Sequence, residues 1–336
     1  MAARVPLINL ACLHGPDRAA FAAELDAACR DIGFLIVVGH GVDPALIRRM
    51  HAVTGAFFRL PESEKRPLRV SGCRIHGWTG PRQSYLADTL APGEVQVPDW
   101  KEGFSVGPVD TPPDLSPEEA PYFGRNLWPD RPDDFIEVWE DYYREMERLA
   151  GDLMTAFAAA LRLPDDYFVQ CIDRHITGLS AQYYPAQTAA PAPGQLRAGA
   201  HTDFGSLTIL STGDDPGGLQ VRDHDDTWQD ITAPADAFVV NIGDLMAQWT
   251  NDRWVSTLHR VVNPLPDRAH LPRQSIAFFH QPNWHALVEC LPGCGSVDNL
   301  PKYAPITSGA HFERKLALLR GGAPKAKEVL PADSSG

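Results

Sequence analysis

The sequence predicts a mainly β fold with α additions, built as a double-stranded β-helix (jelly-roll) core with an N-terminal α/β extension and a long backing helix. Three observations lead to this fold class. From residue 176 onward, eight short runs rich in Val, Ile, Thr, Tyr and Phe are separated by Gly, Pro, Asp and Asn turns. Residues 132–161 repeat apolar side chains at three- and four-residue steps, as an amphipathic helix does. Ahead of both, short strand and helix patterns alternate.

Residues 1–130 are expected to form the N-terminal region. The segment PLINL predicts a strand, and an apolar face made by Phe21, Leu25, Ala28 and Ile32 predicts a helix after it. FLIVVGHG then predicts a buried strand that ends in a glycine turn, and DPALIRRMHAVTGAFFRL predicts a second helix. Residues 61–130 are rich in Pro, Gly and aromatic residues without regular periodicity, which indicates a long irregular region with a functional surface.

Residues 131–320 are expected to form the jelly-roll core together with the backing helix. Asp133 and Asp134 stand where they would complement the dipole at the start of that helix. Residues 321–336 are expected to be a disordered tail. The eight predicted strands lie in the segments ITGLSAQYY, SLTILST, GLQVRD, WQDITAP, AFVVNIGD, RWVSTLHRVV, RQSIAFFH and HALVECLP.

Charge and hydropathy limit the classes of partner. The formal net charge is -13 and no basic run offsets it, so we expect no nucleic-acid partner. The apolar run Phe34–Val38 is too short to cross a bilayer, and we expect a cytoplasmic protein with no membrane association. Six cysteines are too sparse for a disulfide framework, which favours free thiols. Nothing in the sequence indicates an obligate protein partner.

The segment HTDFGSLTIL predicts a metal site. Side chains alternate along a strand, so His201 and Asp203 would point the same way and could chelate one ion. His259, in the otherwise apolar segment TLHRVV, can supply a third ligand. Two histidines and one carboxylate on one face of an ion leave the other face open, which is typical of non-haem Fe(II) sites. The alternative is an Asp that caps its own turn beside a core histidine.

The segment RQSIAFF predicts an anion site. Arg273 and Ser275 would share one face of a strand that enters an apolar run. A guanidinium that faces the interior is costly unless it meets an anion, and together with a hydroxyl it suits a bound carboxylate. An internal salt bridge is the alternative for Arg273.

At this point the sequence resembles a known family. HTDFGSLTIL, NIGDLMAQWTNDRWVSTLHRVV and RQSIAFF together are similar to the isopenicillin N synthase-like family of Fe(II)- and 2-oxoglutarate-dependent dioxygenases. CRDIGFLIVVGHGV resembles the N-terminal region of that family, and QYYP resembles the strand that leads into its barrel. The resemblance runs from about Val5 to about Leu319.

The resemblance implies a role for each matching residue. His201, Asp203 and His259 would hold Fe(II), Arg273 and Ser275 would bind the distal carboxylate of 2-oxoglutarate, and Tyr184 would help to seat this cosubstrate. It also implies a reaction in which O2 and 2-oxoglutarate are consumed, succinate and CO2 are released, and a small organic molecule is hydroxylated, desaturated or cyclised. Amino acids and natural-product intermediates of secondary metabolism are the implied substrates.

Three other functions stay open from the sequence. The first is an oxidase or cyclase of the isopenicillin N synthase type, which uses no 2-oxoglutarate and binds a carboxylate of its own substrate at Arg273 and Ser275. The second is a ligand-binding protein on the same scaffold, although its expected signature would be a broken triad. The third is a zinc-dependent hydrolase, although no Glu general base stands near the His-x-Asp pair.

Further residues receive secondary predictions. Candidate substrate contacts are Trp78, Arg82, Tyr85, Trp100, Phe104 and, for an anionic group, Arg197. Asn241 and Asp244 are interpreted as turn and scaffold groups. The role of Gln182 stays open, His40 is interpreted as structural, and His224 as part of a solvated turn. By the two-residue period, His280 should lie opposite Arg273 and be partly exposed.

Overall fold

The chain forms two facing β-sheets, and helices pack on one of them. The structure is a computed structural model that describes residues 5–70, 75–81, 98–187, 190–213, 217–234 and 236–319. The α-helices in these ranges are α1 (Arg18–Asp31), α2 (Pro44–Phe58), α3 (Glu62–Lys65), α4 (Phe135–Ala160), α5 (Val169–Ile172), α6 (Asp244–Trp249) and α7 (Ser308–Leu319). The strands are β1 (Leu7–Asn9), β2 (Phe34–Val38), β3 (Gly77–Thr79), β4 (Glu102–Val106), β5 (Gly178–Tyr184), β6 (Ala198–His201), β7 (Leu207–Ser211), β8 (Leu219–Arg222), β9 (Trp228–Asp230), β10 (Phe238–Ile242), β11 (His259–Val261), β12 (Arg273–His280), β13 (Leu287–Val288) and β14 (Ile306–Thr307).

Two sheets build the core. The major sheet has the order β1-β2-β10-β7-β12-β5-β4-β3, and the minor sheet has the order β6-β11-β8-β9. Apart from the parallel pair β1–β2, the pairs in both sheets are antiparallel. Apolar side chains from both sheets, such as Ile36, Val239 and Val221, meet in one buried cluster. Two facing antiparallel sheets confirm the predicted jelly-roll core.

Helices α1, α2 and α4 cover the outer face of the major sheet. Helix α4 packs on α1, α2 and β12, and its rings Phe135 and Trp139 stack and meet Phe57 and Phe104. Burial of such a set of rings supplies much of the stability of this layer. The backing helix predicted over residues 132–161 is therefore confirmed, and it runs from Phe135 to Ala160.

The region from residue 61 to 130 is more regular than predicted. Strands β3 and β4 lie within it and extend the major sheet beyond β5. Both are short and contain glycine, so their alternation is hard to see in the sequence. Conversely, RWVSTLHRVV is one of the eight segments predicted to hold a strand, and within it the strand covers His259–Val261, while a turn and a bend over residues 250–254 follow α6.

Alternation along the major sheet sorts the side chains into two sets. In β12, residues 273, 275, 277 and 279 face the minor sheet and line a cavity, and the β5 residues Tyr184, Gln182 and Ser180 do the same. The intervening residues, such as Phe278 and Ile276, pack against the helices. The cavity therefore lies between the two sheets, at the end where β6 and β11 meet.

Some expectations fall outside the described residues. The tail 321–336, Cys73, Arg82 and Tyr85 are among them. The five cysteines within the described ranges are free, as predicted. None of the helices within those ranges combines the length and the apolar character that a membrane span requires.

Candidate metal centre and cosubstrate site

Three side chains predicted to bind a metal meet at one end of the cavity. His201 is the last residue of β6 and His259 is the first of β11, and the two residues are paired across the strands. Asp203 lies beyond β6, in the loop that leads to β7. The prediction that one strand holds both His201 and Asp203 is therefore wrong, because the chain leaves the strand at His201. One nitrogen or oxygen from each of the three side chains lies within 4.8 Å of the others.

Hydrogen bonds orient each of these groups. Nδ1 of His201 lies 2.8 Å from the carbonyl oxygen of Gly199, and Nδ1 of His259 lies 3.1 Å from that of Thr257. A carbonyl can only accept, so each Nδ1 must carry the proton, and each Nε2 keeps its lone pair. These Nε2 atoms lie 3.9 Å and 3.8 Å from Oδ1 of Asp203.

The carboxylate of Asp203 is held from the other side. Its Oδ2 accepts hydrogen bonds from Oγ1 of Thr208 at 2.6 Å and from Nδ2 of Asn241 at 2.8 Å. Oδ1 is therefore left to face the two imidazoles. Such outer contacts fix the orientation of metal ligands. Asn241 is thus not the turn residue that the sequence suggested, since it lies inside strand β10.

Burial sets the protonation states of the site. Removal from water and the nearby imidazole of His259 lower the pKa of His201 to about 3. Burial alone would raise the pKa of Asp203, but the two imidazoles and the two hydrogen bonds keep it below its usual value. A neutral imidazole and an ionised carboxylate are the forms that bind a cation.

The donor set fits a divalent iron ion. Two imidazole nitrogens and one carboxylate oxygen approach from one side, and the other side opens into the cavity. This arrangement of three protein ligands is the one that non-haem Fe(II) oxygenases use. A structural zinc site would require a fourth protein ligand. Among the described residues, no cysteine, carboxylate or further histidine joins this group of three.

The residues of the predicted anion site line the same cavity. Arg273 is 2% exposed, and its Nη1 donates a hydrogen bond of 3.2 Å to Oγ of Ser275. Its guanidinium lies 5.0 Å from the centre of the Tyr184 ring. Strand register brings the three together, because Tyr184 is the partner of Arg273, and Gln182 is the partner of Ser275. The cavity that holds them and the triad measures about 360 Å³.

Four of the predicted substrate contacts lie within the described residues, and each of them makes contacts inside the protein. Trp78 faces the helices, where its indole N–H donates to Oε2 of Glu102 at 2.7 Å, and the ring of Phe104 packs on Phe57 and Trp139. Both rings therefore pack in the helical layer, and Phe104 is also among the residues that line the cavity, whereas Trp78 is not. Arg197 is buried, donates to the carbonyl of Leu271 at 3.0 Å and is not among the cavity-lining residues. Trp100 pairs by its backbone N–H with Leu196.

Other histidines are accounted for by packing or solvent. His280 lies on the helix side of β12, as predicted, but it is buried and not partly exposed. Helix α4 packs on this strand, and the ring of His175 lies 5.6 Å from that of His280. His40 contacts the carbonyl of Asp236 at 2.8 Å, which supports a structural role. His224 lies in an exposed turn.

Two further residues lie beside the triad, namely Asp244, which the sequence predicted to be a turn and scaffold group, and Lys101, which the sequence analysis did not identify. Asp244 opens α6, and its Oδ2 accepts from Oγ1 of Thr202 at 3.0 Å and from Lys315 of α7. Its backbone N–H also donates to the carbonyl of Asp203 at 2.8 Å. Lys101 lines the cavity from the region predicted to be irregular. Only the pairing of β4 with β5 reveals its position.

Comparison with known proteins agrees with this site. Residues 5–131 match the family model described as non-haem dioxygenase in morphine synthesis N-terminal, and residues 176–282 match that of the 2OG-Fe(II) oxygenase superfamily. Validamycin A dioxygenase of Streptomyces hygroscopicus subsp. limoneus is 31% identical, over 92% of this chain and 82% of the relative. A homoarginine-6-hydroxylase of Oryza sativa subsp. japonica is 31% identical, over 93% and 96%.

Solved structures give the same result. A full-length Neurospora crassa protein in complex with alpha-KG and thymine has a TM-score of 0.82 and 29% identity, and the alignment covers 93% of this chain and 96% of that one. A 2OG-Fe(II) oxygenase family protein from Caulobacter crescentus has a TM-score of 0.82 and 30% identity, with 94% and 99% covered. The chain belongs to the 2OG-Fe(II) oxygenase superfamily and is an Fe(II)- and 2-oxoglutarate-dependent dioxygenase.

Proposed function

We propose that His201, Asp203 and His259 hold the Fe(II) ion of this dioxygenase. The observation that carries the proposal is the orientation of the three donors. Each imidazole is fixed through Nδ1 and the carboxylate through Oδ2, so that two Nε2 atoms and one Oδ1 converge. Bound Fe(II) supplies the activation of O2 that couples decarboxylation of 2-oxoglutarate to oxidation of the substrate.

Arg273, Ser275 and Tyr184 bind the cosubstrate in this proposal. The distal carboxylate of 2-oxoglutarate would accept hydrogen bonds from the guanidinium of Arg273 and the hydroxyl of Ser275. The Tyr184 ring lies beside the guanidinium of Arg273 and limits the positions that it can adopt. All three residues are buried, so water competes little for these contacts.

The remaining cavity walls favour a small substrate. Apolar side chains line the cavity on the side toward α7, namely Ile176, Phe204, Phe279, Phe312 and Leu316. They exclude water from the reacting centre. A cavity of about 360 Å³ suits a small organic molecule.

Hydroxylation is the proposed outcome. Relatives include the homoarginine-6-hydroxylase and a proline hydroxylase of Petromyces alliaceus, which is 33% identical over 84% of this chain and 88% of the relative. These names support an amino acid or a natural-product intermediate as the substrate class. A cytoplasmic location, a role in secondary metabolism, and independence from nucleic acid, membrane and protein partners stay predictions from the sequence.

An anaerobic titration tests the assignment without a known substrate. Fe(II) is added to the purified apoprotein, and 2-oxoglutarate is then titrated while the visible charge-transfer absorption of the chelate is recorded. We expect a saturable band in the wild type, no iron binding in Asp203→Ala, and at least about tenfold weaker 2-oxoglutarate binding in Arg273→Leu, since a charged hydrogen-bonded pair is lost.

Arg260→Leu is the matched control. Arg260 follows His259 in β11 but points away from the cavity, where it donates to Gln220 at 2.9 Å and stacks on Trp228. This variant should keep the band. Normal turnover in Asp203→Ala would refute the triad. Iron binding without any 2-oxoglutarate band in the wild type would favour the cosubstrate-free oxidase instead.

A further inference from the structure

Part of the cavity lining is polar, in contrast to the apolar side chains of Phe204 and Phe312. It is made by Thr79 of β3, Ser105 of β4, Ser180 and Gln182 of β5, and Lys101, one residue before β4. We call these five residues the polar strip. Strand register explains it, because Gly103 pairs with both Thr79 and Gln182, and Ser105 pairs with Ser180. Lys101 continues this alternation, so its side chain is on the same face.

Lys101 differs from Lys65, a second buried lysine. Lys65 contacts Glu102, the residue that follows Lys101 in the chain. Lys65 is 5% exposed, and its Nζ lies 2.8 Å from Oε2 of Glu102 and 2.9 Å from the carbonyl of Phe58. Its charge is thus satisfied within the protein. This pair is structural, and it shows what a buried lysine needs when no ligand is involved.

Lys101 has a weaker partner, since its ion pair with the buried Asp99 spans 3.9 Å and includes no hydrogen bond. It is 8% exposed, and its Nζ makes no hydrogen bond to any residue within the described ranges. Within the described ranges its carboxylate partner is Asp99, whose Oδ2 is 3.9 Å away and whose other oxygen accepts from the backbone N–H of Gly199. The N–H donors of this buried ammonium are therefore available to the cavity. A buried ammonium in this state favours an oxygen ligand.

The other charged groups of the cavity have assigned roles. Among the described lining residues, Lys101 and Arg273 have basic side chains, and Asp203 and Glu102 have acidic ones. Glu102 is occupied by Lys65. In the proposed function, Asp203 serves the metal and Arg273 serves the cosubstrate. Lys101 is left as the lining cation that the proposed function does not use, and its ion-pair partner Asp99 is not a lining residue.

We infer that Lys101 determines specificity for a substrate that carries a carboxylate beside an apolar body. The carboxylate binds at Nζ of Lys101 on the polar strip, where the hydroxyls of Ser105 and Ser180 can add hydrogen bonds. The apolar body packs against Phe204, Phe279 and Phe312. This inference rests on the proposed function, since it assumes that Arg273 is occupied by 2-oxoglutarate.

Acids and their primary amides provide the test, because each pair has the same shape and differs in charge. The probes are 3-phenylpropionate with 3-phenylpropanamide, and cyclohexanecarboxylate with cyclohexanecarboxamide. Their binding is measured by calorimetry under anaerobic conditions, on protein loaded with Fe(II) and 2-oxoglutarate. We expect at least one acid to bind the wild type about tenfold or more tightly than its amide, which is the contribution of one charged hydrogen bond.

Variants assign this preference to one side chain. Lys101→Met, which keeps most of the length and removes the charge, should abolish the preference, and Lys101→Arg should retain it in part. Lys302→Met, which removes an exposed lysine paired with Asp252 at 3.0 Å, is the control and should retain it in full.

Each other result has a defined meaning. If no acid binds the wild type more tightly than its amide, or if the preference persists in Lys101→Met, the inference is wrong. If Lys101→Met loses the chelate band of 2-oxoglutarate, Lys101 serves the cosubstrate and the inference is also wrong. If the wild type itself shows no such band, the proposed function fails, which the same titration reveals before any probe is added.

Discussion

The hydrogen bond from Thr208 to Asp203 offers a direct test of how the metal site is oriented. Thr208→Val removes one hydroxyl and keeps the side-chain shape. In the wild type this hydroxyl lies 2.6 Å from Oδ2 of Asp203, and Thr208 is 4% exposed, so no water replaces it easily. Without it the carboxylate gains freedom to rotate, and Oδ1 spends less time facing the imidazoles.

The expected loss follows from the strength of that bond. A hydrogen bond to a charged group contributes about 1.5 to 3 kcal/mol, which corresponds to about 10- to 100-fold in affinity. Asn241 still holds the same oxygen at 2.8 Å, so we expect the lower end, about tenfold weaker Fe(II) binding. Metal sites generally lose about 10- to 100-fold when an outer contact is removed.

A competition titration of Fe(II) against a chromogenic chelator, under anaerobic conditions, measures this affinity. Thr54→Val is the matched control, because Thr54 is also buried and its hydroxyl accepts from the indole of Trp139 at 3.1 Å, in the helical layer. The control should bind Fe(II) as the wild type does. An iron affinity in Thr208→Val within about twofold of the wild type would refute the orienting role.

Two further predictions concern stability. Burial lowers the pKa of His76 from 6.5 to about 4, so the unfolded chain binds a proton more readily than the folded protein does. The folded protein therefore loses stability as the pH falls from 6.5 toward 4. Because His76→Met removes this titrating group, the variant should lose about 3 kcal/mol less unfolding free energy over that pH range. Urea unfolding of metal-free protein near pH 7 and near pH 4 measures this, and identical pH dependence in both proteins would contradict it. A Cβ at residue 243 would clash with the carbonyl oxygen of Gly205, so Gly243→Ala should cost about 1 to 3 kcal/mol by overpacking and also weaken Fe(II) binding. Thermal unfolding measures the stability of this variant and of its control, Gly151→Ala, in which the added Cβ meets nothing within 4 Å. The control should be neutral or slightly more stable. Equal stability of the two alanine variants would argue against the close approach.

Local patterns are enough to predict several elements. The three- and four-residue apolar period predicts α4, since nearly every turn of that helix buries an apolar residue. The two-residue period predicts that Arg273 and Ser275 share one face of β12, and the structure has them hydrogen-bonded to each other. His201 and Asp203 are conspicuous in the sequence because charge-capable groups open an otherwise apolar segment.

Long-range contacts are beyond such patterns. Asn241 holds Asp203 from 38 residues away, and although it stands in the predicted strand segment AFVVNIGD, no local pattern indicates which group its amide contacts. The period predicts the face of His280 but not its burial, which depends on the elements that cover that face. Lys101 gives no local signal, because its position depends on the pairing of the short strand β4 with β5, a partner far away in the sequence.

The position of the metal centre between the sheets has a mechanical consequence. His201 and His259 belong to the minor sheet, whereas the partners of Asp203, Thr208 and Asn241, belong to the major sheet. An ion held by the triad would therefore act as a cross-link between the two sheets. By mass action, the melting temperature should rise with the concentration of free Fe(II), and the end of the barrel near β6 should gain the most protection from hydrogen exchange.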